Sequence, residues 1–302
     1  MSEENKKENR KDKFVKRFVK TFKVQFITHQ GATVTYLVLR AFVIIIMVFA
    51  FLNHNYESAF MCILALIFFI IPTFIEENFH IEIPSALEII ILVFIFSANI
   101  LGEIAEFYVY LPGWDTALHT LNGFVCAAIG LSLFELFNNN EMINFRLSPF
   151  FLVLVAFCFS MTIAVTWEFF EFSQDTFFGY DMQKDTVIHR INSVALSDNG
   201  SIVSIKNITT TVVNGESLPI DGYLDIGLFD TMKDMFVNFI GALVFSVFGY
   251  FYEKGKGKKN TWVEKLMPTP MEDDRIDNLN TLKKEKIQQR LEKSKKRKLQ
   301  KH

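Results

Sequence analysis

Long uninterrupted apolar runs dominate this chain, and about 20 such residues are what a helix needs to cross a bilayer. Six runs qualify, over 33–53, 57–76, 85–102, 116–138, 148–172 and 230–252. The clearest are AFMCILALIFFIIP from Ala59 and FFLVLVAFCFSMTIAV from Phe150, whereas the third and sixth carry carboxylates near their ends. Burying six such runs in a water-soluble core would leave almost no amphipathic helices to cover them. The pattern therefore predicts an all-α polytopic membrane protein of about six transmembrane helices. Its membrane domain covers 31–253, between an N-terminal segment 1–30 and a C-terminal tail 254–302.

The pattern changes over 173–229, where β-branched runs (SVAL, SIVSI, ITTTVV) alternate with Asn199-Gly200 and Asn214-Gly215. Asn-Gly between such runs is a hairpin signal, and the spacing predicts a small β-meander of three or four strands. Residues 13–26 (KFVKRFVKTFKVQF) place Phe14, Phe18 and Phe22 four apart among Lys and Arg. That predicts a basic amphipathic helix, suited either to an anionic cytoplasmic leaflet or to the protein's own cytoplasmic face.

The formal charge of −2 is unevenly divided. Residues 1–30 carry 9 Lys/Arg and 4 Asp/Glu, and 251–302 carry 16 and 8; the middle, 31–250, has 6 cations against 21 acids. Basic flanks on an even number of spans place both termini in the cytoplasm, and the β insertion is then extracytoplasmic. Arg146 in the 4–5 connection agrees with that orientation. No cleavable leader is expected, since the first span starts too late and is too long for one. Basic residues confined to the ends of an acidic body argue against nucleic acid as a partner. Cys62, Cys126 and Cys158 all lie in spans, which argues against a disulfide framework.

The acids themselves recur at helical spacing. Glu103 and Glu106 end the third span, and Asp115, His119 and Asn122 open the fourth. Glu168, Glu171 and Asp175 end the fifth, while Asp230, Asp234 and Asn238 open the sixth. Steps of three, four and seven return to one helix face. In the derived orientation all four sets fall in the outer half of the membrane. Asp115 and Asp230 are equally readable as helix N-caps, and Trp114 and Trp167 as interfacial aromatics. Glu103, Glu106, Glu168, Glu171 and Asp175 instead sit at helix C-termini, where the dipole disfavours anions. Within 101–180 the one basic residue is Arg146. Crowded carboxylates with one histidine suit a divalent cation such as Mg²⁺, Mn²⁺, Ca²⁺ or Zn²⁺. His119, Glu168, Glu171, Asp175, Asp115, Asp230 and Asp234 are the candidate ligands. Glu103 and Glu106 are the candidate proton acceptors.

The stretches Glu103-x-x-Glu106-Phe107-Tyr108, Trp114-Asp115-Thr116-x-x-His119-x-x-x-Gly123 and Trp167-Glu168-x-x-Glu171-x-x-x-Asp175 resemble the YjdF-type family of bacterial inner-membrane proteins, whose function is unknown. Gly179-Tyr180-Asp181-x-Gln183-x-Asp185-Thr186 and Asp230-Thr231-x-x-Asp234-x-x-x-Asn238-x-x-Gly241 extend the likeness over about 35–252. The Asp-x-x-x-His and Asp-x-x-x-Asn-x-x-Gly fragments are also similar, more weakly, to VanZ-like membrane proteins, a family linked to glycopeptide resistance. The resemblance implies a bacterial cytoplasmic-membrane location and brings no reaction with it.

Three functions remain open. The acids could hold a divalent metal that acts on a lipid or lipid-linked substrate. They could form the vestibule of a cation or proton transporter, with Glu88, Glu135, Ser160, Thr162 and Asn238 as a path inward. They could serve a scaffold protein through capping and interhelical hydrogen bonds. No nucleophile elbow, phosphate loop or nucleotide motif appears, so no nucleotide cofactor is expected.

Overall fold

The computed structural model describes residues 30–79, 81–138, 147–255 and 262–270. The basic helix expected over 13–26, Arg146 and the tail beyond 270 lie outside the described residues. Two compact units emerge, one running to Ala105 and resuming at Glu264, the other Glu106–Val263.

In the first unit, α1 (Gln30–Leu52), α2 (Tyr56–Phe68), α3 (Ile71–Phe79) and α4 (Ser85–Phe96) follow one another, with β1 (Ile81–Glu82) before α4. Asn55 starts α2 by accepting a hydrogen bond from the Ser58 N–H at 3.0 Å, as an N-cap does. Val43, Cys62, Ala65, Phe69, Leu92 and Ile95 form the core between these helices. Glu76, a buried acid, has a backbone task, accepting from the Ile83 N–H at 2.9 Å. On α1, Val38, Phe42, Ile45, Phe49 and Leu52 stay exposed in one stripe, a surface that only a lipid solvent makes favourable.

Beyond α4 the helix widens into a π-helical stretch, Ser97–Ile104. Asn99 there donates its side-chain amide to the Ile95 carbonyl at 3.0 Å. The chain then turns at Glu106, whose φ is 57°. Glu103 and Glu106 therefore do not share one face of a continuous α-helix, as their spacing suggested. A wider turn and a left-handed residue intervene, and three-residue periodicity loses its meaning across such a break.

The second unit contains α5 (Phe107–Tyr110), α6 (Trp114–Asn138), α7 (Pro149–Phe178) and α8 (Leu228–Lys254). Ser148 caps α7 ahead of Pro149, and Gly179 (φ 70°) ends it. α6 and α8 touch backbone to backbone. A Cβ added at Gly123 would lie 2.0 Å from the Asn238 carbonyl oxygen, and one at Gly241 would lie 1.9 Å from that of Thr120. α7 joins them through Ser160, fully buried, which donates to the Gly123 carbonyl at 2.8 Å.

Among the described residues, six helical segments are long and apolar enough to cross a membrane: Gly31–Leu52, Tyr56–Glu76, Ser85–Ile104, Trp114–Glu135, Pro149–Phe178 and Leu228–Lys254. The protein is a polytopic all-α membrane protein with small strand pairs. The fifth segment continues to Phe178, so residues 173–178 are helix where the sequence suggested loop. The insertion is three separate two-stranded pairs, not a meander. β2 (Thr186–Ile188) pairs with β7 (Tyr223–Asp225), β3 (Arg190–Ser193) with β4 (Val203–Lys206), and β5 (Val212–Val213) with β6 (Glu216–Ser217). Asn214 and Gly215, both at positive φ (52° and 89°), form the two-residue turn between β5 and β6, as the hairpin signal predicts. Asn199-Gly200 sits mid-way in the longer β3–β4 connection.

Candidate functional site

The start of α6, the end of α7 and the start of α8 lie together, and their polar residues form one cluster. Asp115 and His119 are one turn apart on α6, with Asp115 Oδ1 3.3 Å from His119 Nε2. From α8, Asp234 Oδ2 approaches the same nitrogen at 3.7 Å. One ligand atom from each of Asp115, His119 and Asp234 lies within 4.8 Å of the others. Asp234 is 2 % exposed. Asp115 and Asp230 lie inside the first turns of α6 and α8 rather than at their N-caps.

Lys233 was missed by sequence reasoning, and it changes the electrostatics. Its Nζ lies 2.7 Å from Asp115 Oδ2, 3.4 Å from Asp230 Oδ1 and 3.5 Å from Asp234 Oδ1. The acids of α6 and α8 thus have a cation beside them after all. A signal was present in the sequence, since Lys233 stands between Asp230 and Asp234 and is one of six cations in 31–250. What hid it was its partner Asp115, which is 118 residues away.

α7 supplies Glu168 and Glu171, both buried. Glu168 interacts with the Thr231 and Gln183 side chains and with His119. Its Oε2 is buried without a hydrogen-bond partner, a costly state for an acid that is 4 % exposed. Glu171 accepts the Trp167 indole N–H at 2.8 Å, so Trp167 has a partner beyond an interfacial role. Asp175 is occupied elsewhere. Its two oxygens accept from the Met182 and Gln183 N–H groups at 2.6 and 2.8 Å. It clasps the chain that returns over the cluster, where the Lys184 N–H also donates to Asp230 Oδ2 at 2.9 Å. Gln183 completes this cover by donating to the Thr231 hydroxyl at 2.6 Å. Glu106 is exposed and joins no hydrogen bond or ion pair of this cluster among the described residues; Glu103 belongs to the first unit.

One helical turn deeper lies an amide layer. Asn122 donates to Asn238 Oδ1 at 2.9 Å, and Asn238 in turn donates to Met161 Sδ at 3.6 Å. Below it the helices bury Ala127, Leu131 and Phe245. Beside the cluster, an apolar groove of about 560 Å³ runs along α6 and α8, lined by Thr116, Thr120, Phe124, Gly241 and Val244 among others. Trp262 stacks on Phe124 with ring centroids 6.0 Å apart.

Two carboxylate oxygens and an imidazole nitrogen, with a third carboxylate close by, form a hard donor set suited to Mg²⁺, Mn²⁺ or Zn²⁺. A family model described as "Predicted membrane protein (DUF2238)" matches residues 34–255, which include every residue of this cluster. The resemblance to YjdF-type proteins is consistent with that match. No curated protein and no solved structure matches the chain.

Proposed function

Because the chain belongs to the DUF2238 family of predicted membrane proteins, we propose a function that starts from the bilayer: the protein holds a divalent cation between Asp115, His119 and Asp234 and uses it on a lipid or lipid-linked substrate. The observation that carries this reading is the convergence of three ligand atoms from two helices within 4.8 Å. Glu168 Oε2, buried and unpartnered, adds a fourth acceptor on the α7 side. Basic flanks set the orientation with both termini in the cytoplasm of a bacterium, which puts the site in the outer half of its cytoplasmic membrane. There a cation would activate water and orient an anionic headgroup. The adjoining groove along Thr116, Thr120 and Val244 suits an acyl or polyprenyl chain.

The transporter alternative needs a polar route onward from the cluster. Asn122, Asn238 and Ser160 are engaged with one another's helices, and Ala127, Leu131 and Phe245 follow them with no exposed surface. That arrangement favours a site closed from below.

Elemental analysis and Mn²⁺ titration of detergent-purified full-length protein test the proposal, with Asp115→Asn and His119→Ala beside the wild type. One ion per chain, lost in both variants, is the expected result. No bound divalent ion in the wild type, and no change in thermal stability on chelation, would overturn it.

A further inference from the structure

The carboxylates of Asp115 and Asp234 are each divided between two neighbours. Asp115 presents Oδ1 to His119 and Oδ2 to Lys233, at 3.3 and 2.7 Å. Asp234 presents Oδ2 to His119 and Oδ1 to Lys233, at 3.7 and 3.5 Å. Two cation positions therefore flank one pair of carboxylates, an inner one at the histidine and an outer one. Lys233 Nζ fills the outer position, where Asp230 Oδ1 at 3.4 Å supplies a third oxygen. Glu168, buried with Oε2 lacking a hydrogen-bond partner and interacting with His119, supplies a further acceptor on the inner side.

We propose that Lys233 is a tethered cation that occupies the outer position permanently, restricts the site to a single divalent ion at the inner one, and sets how tightly that ion is held. The inference rests on the metal-binding reading above. Its physical basis is that an ammonium at 2.7 Å already neutralises part of the charge a metal would use, and repels a second cation across the shared carboxylates. A lysine suits this task because its charge is compact and its stem long. At 47 % exposure, the Lys233 side chain also keeps access to water. In a binuclear metal site the same two carboxylates would bridge two ions. Here one of the two cations is covalently part of the chain.

The test is a Mn²⁺ titration of the full-length protein in detergent, following free Mn²⁺ by its paramagnetic resonance signal. Wild type, Lys233→Met, Lys233→Gln and Lys233→Arg are compared, with Asp115→Asn added to the wild-type and Lys233→Met backgrounds. The wild type should bind one ion. Lys233→Met and Lys233→Gln should bind at least tenfold more tightly, or take a second ion. Lys233→Arg should stay within about threefold of wild type, since its charge is retained. Asp115→Asn should abolish binding in both backgrounds. If the wild type binds one ion and the neutral variants match it or bind more weakly, Lys233 is not a competing cation and the inference fails while the metal site stands. If no variant binds Mn²⁺, both readings fall. Two neutral variants guard against either one failing to fold.

Discussion

Replacing Gly241 by alanine is the sharpest perturbation of the fold that positions the site. In an unobstructed helix the change stabilises, by up to about 1 kcal/mol on intrinsic propensity. Here the new Cβ would lie 1.9 Å from the Thr120 carbonyl oxygen, whereas ordinary contact begins near 3.4 Å. The obstacle is backbone, which no rotamer change can move aside, so α6 and α8 must separate by roughly 1.5 Å. Overpacking of this kind costs about 1–3 kcal/mol. The separation also stretches the Asn122–Asn238 hydrogen bond beyond its 2.9 Å, adding up to about 1 kcal/mol for an interhelical bond in a membrane protein. With the helix-propensity gain subtracted, a net loss of about 1–3 kcal/mol is expected, read as a Tm lowered by roughly 2–8 °C. The assay is thermal unfolding in detergent, followed by tryptophan fluorescence and by labelling of the buried Cys62 thiol. Gly31→Ala is the control, since its added Cβ would meet only Ile89 Cδ1 at 3.8 Å. The same separation lengthens the His119–Asp234 approach from 3.7 Å, so Gly241→Ala should weaken Mn²⁺ binding although it touches no ligand. An unchanged or raised Tm in Gly241→Ala would refute the backbone contact between α6 and α8.

Asp175→Asn should loosen the clasp on Met182 and Gln183 by about 1–2 kcal/mol, seen as faster amide exchange over 181–186 with little change in global Tm; unaltered exchange there would count against the clasp. Ser160→Ala removes the hydroxyl held by the Gly123 carbonyl and should lower stability by about 0.5–1.5 kcal/mol. A neutral result in the unfolding assay would show that α7 is not held through that bond. A cysteine placed at Asn199 should react with an impermeant maleimide in intact cells. Labelling only after the inner face is opened would reverse the orientation, and with it the outer-face location of the site.

Much of this was legible in the sequence because it is local. Apolar run length alone finds six spans, and four-residue steps place Asp115 with His119 and Asp234 with Asn238 on common faces. Gly123 and Gly241 also stand out in the motifs, although the reason for them, a backbone crossing, appears only when α6 and α8 are set together. Periodicity failed where the helix itself changed, at the π-helical stretch before Glu106. It also failed for Asp175, which keeps the seven-residue step from Glu168 yet spends both oxygens on the loop. Pairings between distant segments left no periodic trace. Lys233 with Asp115 and β2 with β7 depend on how the chain returns, and single-sequence patterning does not encode a return path.

The β2–β7 pair has a practical meaning. Thr186 stands opposite Asp225 across the ladder, so everything from β3 to β6 leaves and re-enters through one narrow two-stranded stalk. The end of α7 and the start of α8 are tied separately, by Asp175 to Met182 and Gln183 and by Asp230 to Lys184. The excursion is therefore a cassette. An epitope or a fluorescent domain grafted between residues 194 and 202 would enter at the β3–β4 connection, outside the segments tied by Asp175 and Asp230, and a lineage could lengthen, shorten or exchange that connection while those ties stayed in place.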